Sequence, residues 1–189
     1  MLRHLPNLVT ILRMLLVVPL CWLIDQGRYE GALVIAAIAG FSDAVDGFLA
    51  KHYGWQTWLG GILDPIADKL LLMATFLWLA FVGDVPQWLA ALVIGRDLVI
   101  VGGAVAYYGL IGRFDASPSL LSKLTTVVQI VFVLAELLRL SRWIEMPDNV
   151  RNAAIGITAV LTIASGLHYV IVWSTRAWRT RPVAGKRQP

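Results

Sequence analysis

Four aspartates stand where an apolar sequence should carry none. Asp43 and Asp46 lie near the end of the second of six apolar segments, and Asp64 and Asp68 near the start of the third. Residues spaced i,i+3 or i,i+4 share one face of a helix, so each pair is coherent on its own element. With the second segment running towards one membrane surface and the third leaving it, Asp43 and Asp64 both sit roughly 10 Å deep at 1.5 Å of rise per residue. One Asp at the centre of a spanning helix costs around 2.5–3.5 kcal/mol on insertion scales, so four need partners. The cations placed to pair with them are Lys51, Lys69 and Arg96. Four acids against so few cations predict bound divalent metal. An all-oxygen ligand set suits Mg²⁺ or Mn²⁺ rather than zinc. His4, His52 and His168 are scattered and Cys21 is the single cysteine, so no softer cluster competes. Two metal ions bridged by carboxylates can clamp a diphosphate for in-line displacement. The bland reading is four carboxylates satisfied locally, or lining an ion path.

The elements that must position these acids are membrane helices. The chain has 189 residues, is 58% hydrophobic and only 15% charged, and carries a net charge of +4. Its mean hydropathy of +0.72 excludes a disordered chain and an ordinary soluble domain. Segments of spanning length fall at roughly 6–24, 31–51, 58–82, 86–108, 119–140 and 152–173, separated by turn and charge signals such as Asp25-Gln26-Gly27 and Gly83-Asp84-Val85-Pro86. Backbone groups in lipid must be satisfied within the segment, which predicts an all-α integral membrane protein, a bundle of six transmembrane helices. Residues 1–175 form one membrane domain in this reading, and 176–189 a basic cytoplasmic tail. The opening run resembles a signal peptide, but Arg13 interrupts it and no small-residue cleavage site follows. It is therefore retained as the first helix. With the N-terminus inside, the inner side holds eight cations, Arg3, Lys51, Arg113, Arg176, Arg179, Arg181, Lys186 and Arg187, against Arg28, Arg139, Arg142 and Arg151 outside. That asymmetry puts both termini and the four aspartates towards the cytoplasm. Eight Trp suit interfacial anchoring. The absence of a transit-type leader points to a bacterial plasma membrane.

The spacing of the acids then gains a second meaning. Asp43-x2-Asp46-Gly47-x2-Ala50-Lys51-x8-Gly60-x3-Asp64-x3-Asp68 resembles the signature of the CDP-alcohol phosphatidyltransferase family, D-x2-D-G-x2-A-R-x8-G-x3-D-x3-D, at seven of eight positions. The departure is Lys51 where the family has Arg, which keeps the charge and loses the bidentate fork. The resemblance covers essentially the whole chain. It implies transfer of the phosphatidyl group of CDP-diacylglycerol to the hydroxyl of a glycerol-type acceptor, with release of CMP. Carried over by position, Asp43, Asp46, Asp64 and Asp68 hold two metal ions, Mg²⁺ or Mn²⁺. Asp68 is also the catalytic base on the acceptor hydroxyl. Gly47, Ala50 and Gly60 make room for the cytidine nucleotide, and Lys51 touches its phosphates. Asn7 and Thr10, with Arg13, match the P-N-x2-T-x2-R opening of the glycerophospholipid branches and join the CDP-binding set. A homodimer in the lipid bilayer is implied, with no nucleic-acid partner.

The acceptor turns on fewer residues. Arg96, Asp97 and Lys123 are its candidate contacts. Phosphatidylglycerophosphate synthases carry Arg-Glu on the fourth span and a second Arg eight residues after the first, whereas here Asp97 follows Arg96 and Ala104 stands at the later position. Gly95-Arg96-Asp97 and Ser122-Lys123-x2-Thr126-x2-Gln129 look more like the cardiolipin synthases of the family, whose acceptor is phosphatidylglycerol. Glycerol 3-phosphate is the alternative acceptor. The polar stripes on the first and fifth spans can also act as glue between helices, and Arg96-Asp97 as an interhelical salt bridge. Outside enzymes, an ion-coupled transporter is the main rival and a scaffold subunit the other. The crowding of acids towards one face and the lack of a repeat disfavour the transporter.

Overall fold

The computed structural model describes the backbone of residues 5–53, 58–111 and 119–179, and the side chains of 10–42, 66–103, 119–172 and Thr175. Among these residues there are six helices and no strand: α1 (Leu5–Asp25), α2 (Tyr29–Tyr53), α3 (Trp58–Phe81), α4 (Gln87–Ile111), α5 (Leu120–Leu140) and α6 (Asp148–Arg179). The all-helical class therefore stands. Three elements outrun the ends of their apolar segments, α4 by reaching Ile111. α2 continues through Lys51 to Tyr53, where the sequence pattern placed a break, and α6 continues into the basic stretch as far as Arg179. A helix already hydrogen-bonded within itself is extended at low cost where water can take its polar residues. Among the described residues α5 and the Asp148–Val172 part of α6 are long and apolar enough to cross a membrane.

The helices pack as a ring in the order α1, α2, α5, α6, α4, α3 and back to α1, with α3 also meeting α5 across the middle. Phe76 of α3 stacks on Phe132 of α5 there, with ring centroids 5.8 Å apart. Leu20 and Ile24 of α1, Leu79 of α3, Leu89 and Val93 of α4 and Leu137 of α5 close the core around that pair. Large apolar side chains also point outward, including Val18, Phe41, Phe81 and Val160. On a soluble protein such a surface would drive aggregation, whereas acyl chains solvate it.

Three short connections gather at one end of the bundle, and local chemistry explains each. α1, α3 and α5 all finish with the paired 6→1 and 5→2 bonds of a Schellman motif: Arg28 N to Leu23 O and Gly27 N to Ile24 O, Asp84 N to Leu79 O and Gly83 N to Ala80 O, Trp143 N to Leu138 O and Arg142 N to Arg139 O. Side chains tie the three turns together. Tyr29 donates to Asp84 Oδ2 at 2.6 Å, Arg151 to the Asp84 carbonyl at 2.6 Å, and Trp143 Nε1 to Glu30 at 3.4 Å. Glu136, only 1% exposed, accepts from Arg139 at 2.9 Å and Arg151 at 3.0 Å. Sequence reasoning had passed over this acid. The signal was a lone carboxylate inside an apolar run, with an arginine three residues later.

The α5–α6 interface is polar along its length. Thr125 Oγ1 donates to Leu161 O at 3.2 Å, and Gln129 Nε2 to Thr162 Oγ1 at 3.0 Å. The expected Lys123, Thr126, Gln129 stripe thus divides. Gln129 is buried glue, Thr126 turns back to the Ser122 carbonyl, and Lys123 is exposed. The side chains that bond α6 are Thr125 and Gln129, and Ser122 turns to Arg96 of α4. Replacing Gln129 by Leu is expected to change thermal stability in detergent by under about 1 kcal/mol, because interhelical hydrogen bonds in membranes average roughly 0.6 kcal/mol. Thr162 also stays satisfied by its own bond to Thr158 O at 2.7 Å.

Candidate active site

The other half of the bundle carries the charged groups. On α1, Thr10 and Arg13 lie one turn apart and are 1% and 2% exposed. The Arg13 guanidinium donates from Nη1 to Asp68 Oδ1 of α3 at 2.6 Å. The Asp68 side chain is 47% exposed, so the carboxylate is anchored by a buried cation and still open to its surroundings. A base that must meet a substrate needs both properties. From sequence, Arg13 appeared as part of a helix stripe, and the acids' partners were sought in Lys51, Lys69 and Arg96. Among the described residues the structure corrects this for Asp68, Lys69 and Arg96: Asp68 pairs with Arg13, and Lys69 pairs at 3.0 Å with Asp97 of α4, which Arg96 also bonds, while the side chains of Lys51, Asp43, Asp46 and Asp64 lie outside the described residues. The available signal was Arg13 itself, a cation inside an apolar span that had to find an anion there.

Arg96 of α4 is the hub of the next layer. Its Nη1 bonds the neighbouring Asp97 carboxylate, its Nη2 donates to Ser122 of α5 at 2.6 Å, and Nε and Nη2 reach Ser165 of α6 at 3.2 and 2.7 Å. Four of the five guanidinium donors are used in this way. Arg96 and Asp97 are both buried. The arginine stem lies against α6 at Gly166, where an added Cβ would meet Arg96 Cγ at 3.6 Å, an ordinary van der Waals contact. Because Asp68 and Lys69 are adjacent, α1, α3, α4, α5 and α6 are joined at one level by charged and hydroxyl groups. Lys123 lies on α5 next to Ser122, with its side chain exposed.

The remaining expected site residues are placed by backbone only. Asn7 lies on α1. Asp43, Asp46, Gly47, Ala50 and Lys51 lie in the last three turns of α2, and Gly60 and Asp64 in the first turns of α3. Their side chains fall outside the described residues. α1, which carries Thr10 and Arg13, packs against both α2 and α3. Among the described residues no group of three acidic, His or Cys side chains is gathered to hold an ion.

Comparison with known proteins decides the family. The profile of the CDP-alcohol phosphatidyltransferases matches residues 3–175. The chain belongs to that family. It is a CDP-diacylglycerol-dependent phosphatidyltransferase, a membrane enzyme of phospholipid biosynthesis. Its similar proteins divide by acceptor. A probable phosphatidylglycerophosphate synthase of Mycobacterium tuberculosis is 34% identical over 98% of this chain and 86% of its own length. A probable CMP-forming cardiolipin synthase of Drosophila melanogaster is 31% identical over 88% of this chain and 56% of its own length. A CDP-diacylglycerol–glycerol-3-phosphate 3-phosphatidyltransferase of Bacillus subtilis is 29% identical over 88% of this chain and 93% of its own length.

Proposed function

We propose that this phosphatidyltransferase uses phosphatidylglycerol as its acceptor and is a cardiolipin synthase. The observation that carries the reading is the state of Arg96. An acceptor such as glycerol 3-phosphate brings a dianionic phosphate monoester, which calls for a cation with unused donors. Arg96 has spent four of its five donors on Asp97, Ser122 and Ser165, and is buried, which leaves a single N–H where a bidentate phosphate contact needs two. The position eight residues on, where a second arginine would help, is Ala104. Phosphatidylglycerol makes no such demand, because its phosphate is a diester. The second reading, glycerol 3-phosphate, is favoured by the names of the Mycobacterium and Bacillus relatives. Lys123, exposed beside Ser122, would then be the first phosphate ligand to test.

In the reaction, the acceptor hydroxyl oxygen bonds to the phosphorus bearing the diacylglycerol. The phosphorus–oxygen bond to CMP breaks, and the hydroxyl proton passes to Asp68. Asp43, Asp46, Asp64 and Asp68 offer an all-oxygen, hard donor set that fits Mg²⁺ or Mn²⁺. Two such ions would supply positive charge for the diphosphate and the leaving CMP. Arg13 keeps the Asp68 carboxylate oriented. Asn7, Thr10, Gly47, Ala50, Lys51 and Gly60 form the CDP pocket in this reading, and Asp97 and Lys123 border the acceptor. The bundle sits as one domain over residues 1–175 in a bacterial plasma membrane, as a homodimer, with both termini and the aspartates cytoplasmic. The excess of cations on that side supports the orientation.

The test is the purified protein with CDP-diacylglycerol and Mn²⁺, offered phosphatidylglycerol or glycerol 3-phosphate in separate reactions. CMP release and a cardiolipin product with phosphatidylglycerol alone are expected. Product with glycerol 3-phosphate alone would overturn the acceptor and leave the reaction class standing. EDTA is expected to silence either reaction and Mn²⁺ to restore it; turnover that survives EDTA would remove the metal from the mechanism.

A further inference from the structure

At the end of the bundle away from the aspartates, a cleft of about 320 Å³ opens between the α1–α2 turn and the end of α5. Arg28, Tyr29, Glu30, Ser141 and Arg142 lie along it. A second cleft of about 360 Å³ adjoins it and shares Arg142. We propose that this cleft binds the phosphodiester headgroup of an anionic glycerophospholipid, held by the Arg28 and Arg142 guanidinium groups.

Charge is the first ground. The neighbouring arginines are committed, Arg139 and Arg151 to Glu136. Among the described residues Arg28 and Arg142 make no ion pair, and both are exposed. The acid in the first cleft, Glu30, accepts from the Trp143 indole at 3.4 Å. Two arginines and one glutamate leave the lining with a surplus positive charge, and planar guanidinium groups match phosphate oxygens.

Backbone conformation is the second ground. Three helices end at this level in the same motif, and each needs a residue with positive φ. Gly27 at +66° and Gly83 at +90° fill two of these positions without strain. The third is Arg142, at φ 60°. A side-chain-bearing residue there costs roughly 1 kcal/mol against glycine. Conformation alone favours glycine, so the arginine side chain has a use that offsets the strain.

Depth is the third ground, and it selects lipid over free phosphate. Trp22, Trp88 and Trp143 are 54%, 55% and 65% exposed on the elements that flank these turns. Exposed indoles mark the headgroup level of a bilayer. A cleft at that level meets lipid phosphate at far higher local concentration than dissolved phosphate.

The test is native mass spectrometry of the delipidated full chain titrated with phosphatidylglycerol, phosphatidylcholine or inorganic phosphate. Arg142→Gly removes the charge and relieves the backbone, so its melting temperature should be equal to or above that of the wild type. Arg28→Gln removes the other charge and keeps the backbone N–H that bonds Leu23 O at the end of α1. Each variant is expected to lose one tightly held phosphatidylglycerol, with affinity about tenfold weaker for loss of one charged hydrogen-bonding partner. Turnover should be unchanged in both, which separates this lipid from any phosphatidylglycerol bound as acceptor. Equal retention in wild type and both variants would overturn the proposal. So would phosphatidylcholine held as firmly as phosphatidylglycerol, or displacement of the lipid by millimolar inorganic phosphate.

Discussion

Asp68→Asn is expected to lower turnover by at least about 10³-fold, because it removes both a general base and a charge needed at the metal site. The substitution keeps the shape and one oxygen, so Arg13 Nη1 retains an acceptor at the position now 2.6 Å away. Folding should therefore survive. The melting temperature in detergent should move by only a few degrees, and Mn²⁺ binding should persist at reduced affinity through Asp43, Asp46 and Asp64. Asp43→Ala, by contrast, is expected to lose Mn²⁺ binding and turnover together. Calorimetry with Mn²⁺, run beside the CMP-release assay, distinguishes the two. An Asn variant with more than about a tenth of wild-type turnover would remove Asp68 from the role of base, since a positioned base alone contributes about 10²–10⁴-fold.

Arg96→Leu is expected to destabilise the bundle by about 2–4 kcal/mol. Removing one member of a buried ion pair costs about 3–5 kcal/mol in soluble proteins, while hydrogen bonds between membrane helices are individually worth much less. The larger effect governs here, because Asp97 would stay buried with Lys69 as its remaining cation partner. Ser122 and Ser165 would lose a shared donor at the same time. Arg96→Lys keeps the charge and loses the fork, so it should fall between wild type and Leu. Thermal unfolding in a single detergent measures the series. If Arg96→Leu melts like the wild type and loses turnover only with glycerol 3-phosphate, Arg96 is an acceptor ligand, and both its structural role and the phosphatidylglycerol assignment fail.

The reaction class of this protein was legible in the spacing of its acids, and the acids stood out for a physical reason. Hydrocarbon penalises every unpaired charge, so each acid inside an apolar run reports a partner or a function. The six helices follow from apolar length alone. Their ring order does not, because lipid-facing and neighbour-facing residues are equally apolar. Pairing was the other gap. Nothing in the spacing says that Arg13 reaches Asp68 across 55 positions, or that Lys69 turns to Asp97. Those choices depend on which helices are neighbours. Gln129 was read correctly as a polar contact, but Thr126 was named in place of Thr125, because Thr126 satisfies itself on its own helix and gives the same polar signal as a residue facing a neighbour.

The bonds between α5 and α6 have a mechanical consequence. Two greasy helices in a bilayer can slide past one another by a residue at little penalty. These two cannot, because a shift of one position would strip partners from Thr125, Gln129 and Glu136 together. The pair behaves as a beam whose axial register is locked. An enzyme whose donor carries two acyl chains takes that donor in from the side. With this beam locked and clamped to α4 through Arg96, adjustment to the donor is expected on the α1–α2 flank. There Pro19 leaves the Leu15 carbonyl without its helical donor, and the helix has a built-in point of flexure.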